Sequence, residues 1–291
     1  MAHSSGDTNT MAALTQVEGT LNYLANTMER PSYYVDPDRR NPPTRPAQNK
    51  HTVPIYNGRD VVEQFSLDKQ GLMLTTHETK VANFYDPEEV KAVYYPEVEQ
   101  LVKKLTGATK VVAFDHNVRC APRAKQGEAG VSSPVLFAHN DYTVKSGPQR
   151  VRELLPPEEA EALLQHRFAV INVWRPIRVP AQDAPLAVCD AQSMEQKDFI
   201  ATDLKFQHRT GEVYSVAYNP AQRWFYFPRM QPNEAMLLKC YDSMEDGRAR
   251  FTAHSAFNDP TAPADAPPRE SIETRTFVFF APEGKKSLHL G

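Results

Sequence analysis

A mainly β fold with flanking helices, a sandwich or jelly roll, is what this sequence of 291 residues predicts. Three observations carry the prediction. The second half alternates short β-branched and aromatic runs with turn residues at close spacing. Prolines number 24 against 12 glycines, which favours extended connections over an all-helical chain. No G-x-G-x-x-G stretch and no Walker A loop occurs, so a nucleotide-binding α/β fold has no support.

The elements follow in order. Residues 1–10 are polar and read as a flexible tail. Residues 11–29 carry a weak helical spacing through Met11, Leu14, Val17, Leu21 and Leu24. Residues 30–50, rich in Pro and Arg, read as an extended surface arm. The chain is therefore divided into a tail and arm over 1–50 and a single domain over 51–291. Strands are expected at 53–56 and 61–65, around the turn Asn57-Gly58, and at 72–75. Asp86 as N-cap with Pro87 at the first helical position opens a helix that runs to about Leu105 and stops near Gly107. A strand at 110–114 and a short helix at 157–166 come next. Seven strands complete the pattern, at 168–174, 186–189, 213–218, 224–228, 235–241, 249–254 and 271–280. Turns fall at Arg209-Thr210-Gly211 and Asp246-Gly247.

The net charge of −3 removes the broad basic footprint of a nucleic-acid binder. Cys120, Cys189 and Cys240 are odd in number and far apart, which argues against a disulfide framework or a cysteine zinc site and for a reducing compartment. No apolar run approaches the ~18 residues of a spanning helix, and the polar N-terminus does not read as a signal peptide. The expectation is a soluble cytoplasmic protein with neither nucleic acid nor membrane as a partner. The Pro-rich arm leaves a homodimer open.

One stretch carries chemistry: Phe137-Ala138-His139-Asn140-Asp141-Tyr142-Thr143. In extended chain His139 and Asp141 project to the same side, so an imidazole and a carboxylate can bind one metal ion together. Nine His and 36 acidic residues in 291 produce about one such pair by chance, so the neighbours must decide. A second histidine from a distant strand would complete a two-His, one-carboxylate triad, the arrangement of non-haem Fe(II) oxygenases. His254 is the best candidate, ahead of His116 and His208. The next strand opens with Arg269-Glu270-Ser271. Arg269 and Ser271 share a face and suit a dicarboxylate such as 2-oxoglutarate, through a bidentate ion pair and a hydroxyl hydrogen bond. Arg275 lies on the same parity and is the second candidate for that anchor.

His139-x-Asp141, His254 and Arg269-x-Ser271 resemble the pattern of Fe(II)/2-oxoglutarate dioxygenases. Longer phrases add specificity: Tyr94-Tyr95-Pro96-Glu97, Asn172-Val173-Trp174-Arg175-Pro176, Tyr241-Asp242-Ser243, and the run from Pro268 to Arg275. These resemble the hydroxylase/desaturase family, which includes gibberellin desaturase, aspergillic-acid-type hydroxylases and cephem-methoxylase-like proteins. The resemblance covers roughly residues 50–282. It implies a double-stranded β-helix core, Fe(II) held by His139, Asp141 and His254, 2-oxoglutarate and O2 as co-substrates, and hydroxylation or desaturation of a small molecule in secondary metabolism. A cupin-like hydrolase or isomerase using Zn(II) or Mn(II) without 2-oxoglutarate is the alternative.

Other residues enter as candidates. Asn172 would touch the co-substrate or orient a metal ligand. Tyr142, Trp174 and Arg119 are candidates for substrate contact. Residues 148–157 are expected to form an inserted lid over an enclosed, largely apolar pocket. Lys239, a lone charge in an apolar strand, is expected to snorkel or to pair with Asp242 or Glu234.

Overall fold

The structure, a computed structural model, describes residues 14–34 and 46–282. Its strands are β1 (Gln16–Leu24), β2 (Ser32–Tyr34), β3 (Gln48–Asn57), β4 (Leu72–Thr76), β5 (Lys110–Arg119), β6 (Val131–Ser132), β7 (His139–Asn140), β8 (Phe168–Pro176), β9 (Leu186–Cys189), β10 (Phe199–Lys205), β11 (Thr210–Val216), β12 (Trp224–Tyr226), β13 (Glu234–Asp242), β14 (His254–Ala256) and β15 (Ser271–Phe279). They form a nine-stranded sheet, ordered β1-β3-β12-β9-β14-β7-β11-β10-β2, and a six-stranded sheet, ordered β4-β13-β8-β15-β5-β6.

Period-two alternation assigns the faces. In β8, Val170 and Trp174 join Met236, Leu238 and Phe277 in a core shared with Leu186, Val188 and Phe225 of the larger sheet. Ala169, Ile171 and Val173 turn the other way, where Val98 and Val102 of helix α1 (Tyr95–Thr106) cover them. Burying each of those valines stabilises the fold by roughly 1.5–3 kcal/mol. The helical stretch begins as expected: the Asp86 side chain accepts from the amides of Glu88 and Glu89, and Pro87 occupies the first turn. It ends at Gly107, whose φ of 70° is left-handed and suits glycine. Two sheets packed face to face, with helices outside, give the expected jelly-roll architecture.

Several local expectations are corrected. The helix expected over 11–29 is strand β1, an edge strand antiparallel to β3. Its alternation decides: Leu21 and Tyr23 are buried, whereas Gln16, Glu18 and Thr20 face solvent. Gln16–Leu24 and Ser32–Tyr34 are thus strands of the larger sheet rather than a tail and arm, the second pairing in parallel with β10. Residues 1–13 and 35–45 lie outside the described residues. The strand expected at 61–65 is the 3-10 helix Gly58–Gln64, begun by Asn57, whose side-chain oxygen accepts from the Arg59 amide. Asn57-Gly58 therefore ends β3 instead of making a hairpin. The strand expected at 249–254 begins only at His254. Cys120, Cys189 and Cys240 are free and buried, and among the described residues no helix is long and apolar enough to cross a membrane.

Candidate metal centre

Strand β7 is only two residues long, yet it is paired on both sides. His139 stands opposite Ser215 of β11 and opposite His254 of β14. Residues directly opposite across a ladder project to the same face. The two imidazoles accordingly lie with ring centroids 4.5 Å apart. Asp141 follows as the chain leaves β7. Its Oδ1 sits 3.5 Å from His139 Nε2 and 4.0 Å from His254 Nε2. One ligand atom from each of the three residues falls within 4.8 Å of the others.

The donor set suits a divalent cation. His139 Nδ1 lies 2.7 Å from the Phe137 carbonyl oxygen, and His254 Nδ1 lies 3.1 Å from that of Thr252. A carbonyl only accepts, so each Nδ1 carries the proton and each Nε2 offers its lone pair inward. His254 Nε2 is buried without a hydrogen-bond partner, which a bound cation would supply. Burial, then neighbouring His139, push the His254 imidazole below its ordinary pKa, against the pull of Asp141 and Glu273. Burial raises the Asp141 carboxyl, but Arg275, His139 and His254 outweigh it and hold it well below the carboxylate range. Neutral imidazole and ionised carboxylate are the forms that ligate metal.

The second carboxylate oxygen is also fixed. Asp141 Oδ2 accepts from Arg275 Nε at 2.7 Å and from Asn172 Nδ2 at 2.8 Å. Asn172 also donates to Glu273 Oε1 at 3.0 Å, and that oxygen is 3.9 Å from His254 Nε2. Arg275 Nη1 donates to Asp115 at 3.0 Å, and Asn117, with its amide oxygen turned inward, accepts from the same guanidinium. Arg275 is thus occupied by the Asp141 and Asp115 carboxylates and Asn117. Arg269 is 3% exposed; its Nη1 donates to the Ala184 carbonyl, while its Nε and the Ser271 hydroxyl are buried without partners. The guanidinium lies over Trp174, 5.5 Å from the ring centroid. Burial, then Arg119, lower its pKa to about 9, against Glu273 and Asp183. A dicarboxylate would relieve those buried donors.

The chain matches a family model described as an oxidoreductase/YMDC permease-like domain over residues 21–279. It is similar to the hydroxylase/desaturase efuI of Hormonema carpetanum, 36% identical over 259 residues that cover 81% of this chain and 86% of that one. It is also similar to the Fe(II)/2-oxoglutarate-dependent dioxygenase nvfI of Aspergillus novofumigatus, 32% identical over 237 residues covering 79% and 83%. A solved structure of the iron and alpha-ketoglutarate-dependent endoperoxidase NvfI superposes with a TM-score of 0.81 at 28% identity, over 92% of this chain and 99% of that one. The chain belongs to the Fe(II)/2-oxoglutarate-dependent dioxygenases of the hydroxylase/desaturase type. The alternative of a metal hydrolase without 2-oxoglutarate falls with that membership.

Beside the triad, the dioxygenase has a pocket of about 260 Å3. Asp141, Tyr142 and Arg275 line it, with Gln149, Arg150 and Glu153 from helix α2 (Ser146–Leu154) and Leu204, Arg209 and Glu212 from the β10–β11 hairpin. Its lining surface is divided about evenly between polar and apolar atoms, so the expectation of a largely apolar pocket is corrected to a mixed one. The segment expected as a lid, 148–157, lies against this pocket. Most of it is helix α2, anchored by buried Val151 and by Gly147, where a Cβ would meet the Tyr241 ring at 3.0 Å. Tyr142 is buried at the pocket wall and Trp174 lies under Arg269. Arg119 donates to the Ser133 carbonyl at 2.9 Å, with Glu273, Arg275 and Asp141 among its charged neighbours. His116 is engaged elsewhere, with Nδ1 2.9 Å from the Tyr95 hydroxyl.

Glu273, Asp115 and Asn117 were not anticipated. Glu273 had a signal, because it shares strand parity with Arg269, Ser271 and Arg275. Asp115 and Asn117 stand opposite Arg275 and Glu273 across the β5–β15 ladder, a pairing that no local motif announces.

Proposed function

We propose that His139, Asp141 and His254 hold Fe(II), and that Arg269 and Ser271 anchor the distal carboxylate of 2-oxoglutarate. The observation that carries this reading is the convergence of three ligand atoms within 4.8 Å around a buried, unpartnered His254 Nε2. Iron and the keto acid together supply O2 activation. The chain supplies position: Arg275 and Asn172 fix Asp141, and the Phe137 and Thr252 carbonyls fix the imidazole tautomers.

The substrate is a small organic molecule bound in the mixed polar and apolar pocket between helix α2 and the β10–β11 hairpin, with Tyr142 at its wall. Trp174 and Arg119 serve the co-substrate side, near Arg269. The outcome is hydroxylation or desaturation in secondary metabolism, as the names of its relatives suggest. The mild net charge supports a reading without nucleic-acid partners, and three buried free cysteines support a reducing, cytoplasmic setting. The test is succinate formation from 2-oxoglutarate by the purified chain, dependent on Fe(II) and stimulated by candidate metabolites. No succinate with Fe(II) supplied would overturn the reading.

A further inference from the structure

The residue between the two ligands of the His-x-Asp pair has had no role so far. Asn140 is fully buried, and its amide is almost entirely committed. Nδ2 donates to the Tyr142 carbonyl at 2.6 Å and to the Cys240 carbonyl at 2.9 Å. Oδ1 accepts from the Thr252 amide at 3.2 Å. Both amide protons are used, and both bonds end on backbone oxygen.

Each partner leads to a ligand. Tyr142 directly follows Asp141. Thr252 is the residue whose carbonyl accepts from His254 Nδ1 at 3.1 Å. Cys240 belongs to β13, in the opposite sheet, next to the β8 strand that carries Asn172. A ladder of two residues is short support for a metal site, and Asp141 already lies outside it. The Asn140 amide supplies the missing constraint across three separate segments.

We propose that Asn140 is a positioning residue that sets the spacing of His139, Asp141 and His254, resting on the reading that this triad holds a metal. Asparagine fits for chemical reasons. An aspartate of the same size would present only acceptors to two carbonyl oxygens. A leucine would leave the Thr252 amide and two carbonyls unmatched in a dry interior. Glutamine adds a methylene where nothing is exposed.

A purely structural plug would destabilise the fold without altering the geometry of a bound metal. The test therefore uses Co(II), whose visible absorption reports coordination geometry, titrated into the metal-free full chain. Asn140→Ala and the same-size Asn140→Asp are compared with Val102→Ala, a core truncation under helix α1 on the far side of the six-stranded sheet. Expected is a loss of Co(II) affinity of about tenfold or more for both Asn140 variants, with an altered absorption envelope and retained β circular dichroism. Val102→Ala should keep the wild-type affinity and spectrum. Asn140 variants that bind Co(II) as the wild type does, or a Val102→Ala loss of equal size, would overturn the clamp. A wild-type chain that binds no Co(II) would instead overturn the metal reading beneath it. If either Asn140 variant fails to fold, the one that retains β circular dichroism decides.

Discussion

Asp141 and Arg275 meet across the two sheets, carboxylate Oδ2 to guanidinium Nε at 2.7 Å. The first residue leaves a short strand of the nine-stranded sheet; the second lies within β15 of the other. The contact divides the work of one carboxylate. Oδ1 faces the imidazoles, while Oδ2 is held by Arg275 and Asn172. It also separates two arginines that lie on one strand parity, one turned to Asp141 and the other, Arg269, keeping a buried donor without a partner.

Arg275→Ala should therefore weaken Fe(II) or Mn(II) binding first. It removes the charge that keeps Asp141 ionised and frees its carboxylate to rotate. Loss of such a supporting partner typically costs about 10–100-fold in metal affinity. Calorimetric titration of the metal-free chain measures it. Unchanged affinity would mean that Asn172 alone holds the ligand.

Arg269→Ala should act on the other ligand. A lost charge-assisted contact costs ~1.5–3 kcal/mol, so half-maximal succinate formation should need roughly tenfold more 2-oxoglutarate or beyond. Metal affinity measured without 2-oxoglutarate should stay near the wild type. The reverse pattern, with Arg275→Ala raising the 2-oxoglutarate requirement and Arg269→Ala silent, would exchange the two roles.

The sequence reaches this site unevenly, for physical reasons. His139-x-Asp141 and Arg269-x-Ser271 are legible because extended chain repeats every two residues, so a local pair already shares a face. The same rule includes Glu273, whose carboxylate stands 3.9 Å from His254 Nε2. Asp115 and Asn117 depend on the β5–β15 register, which pairs residues far apart in the chain. Strand β1 is hidden because Val17, Leu21 and Leu24 also satisfy a helical spacing, and only pairing with β3 settles the conformation. Helix α2 is hidden by Pro148, which sits in its first turn, where a missing N–H costs little.

Lys239 illustrates a charge that the fold pairs rather than exposes. It is 1% exposed and donates to Asp242 at 2.9 Å and to Asp68, while Asp242 also accepts from Arg167 Nη2 at 2.8 Å. Asp242→Ala would leave the ammonium with only the half-exposed Asp68. Breaking one side of a buried pair typically costs about 3–5 kcal/mol, so urea unfolding should register a loss of that order. The double variant Lys239→Met, Asp242→Leu should recover part of it. If the double variant is no better than the single one, the cost lies in packing around Asp242 or in its lost Arg167 contact rather than in the Lys239 charge.

His77 gives a prediction about pH, with a definite sign. Its Nδ1 lies 3.2 Å from Arg175 Nη1, and arginine only donates, so Nδ1 is the acceptor and carries no proton. Burial, then the Arg175 charge, lower the His77 pKa, and Glu97 and Glu78 do not restore it. In the unfolded chain the imidazole titrates near its ordinary ~6.5. Below that pH the unfolded state takes up a proton that the folded state refuses. Stability is therefore full above about 6.5 and falls as the pH drops through the window down to the folded pKa. His116 is lowered in the same direction, chiefly by burial, so the wild-type slope alone does not isolate His77. The informative quantity is the difference between wild type and His77→Asn, which cannot titrate but can still accept from Arg175. Unfolding free energies measured from pH 8 downward should run parallel until about 6.5 and then separate, the wild type losing stability faster. Parallel curves throughout would mean that folded His77 takes up its proton as readily as the unfolded chain does, with the Arg175 contact breaking to admit it.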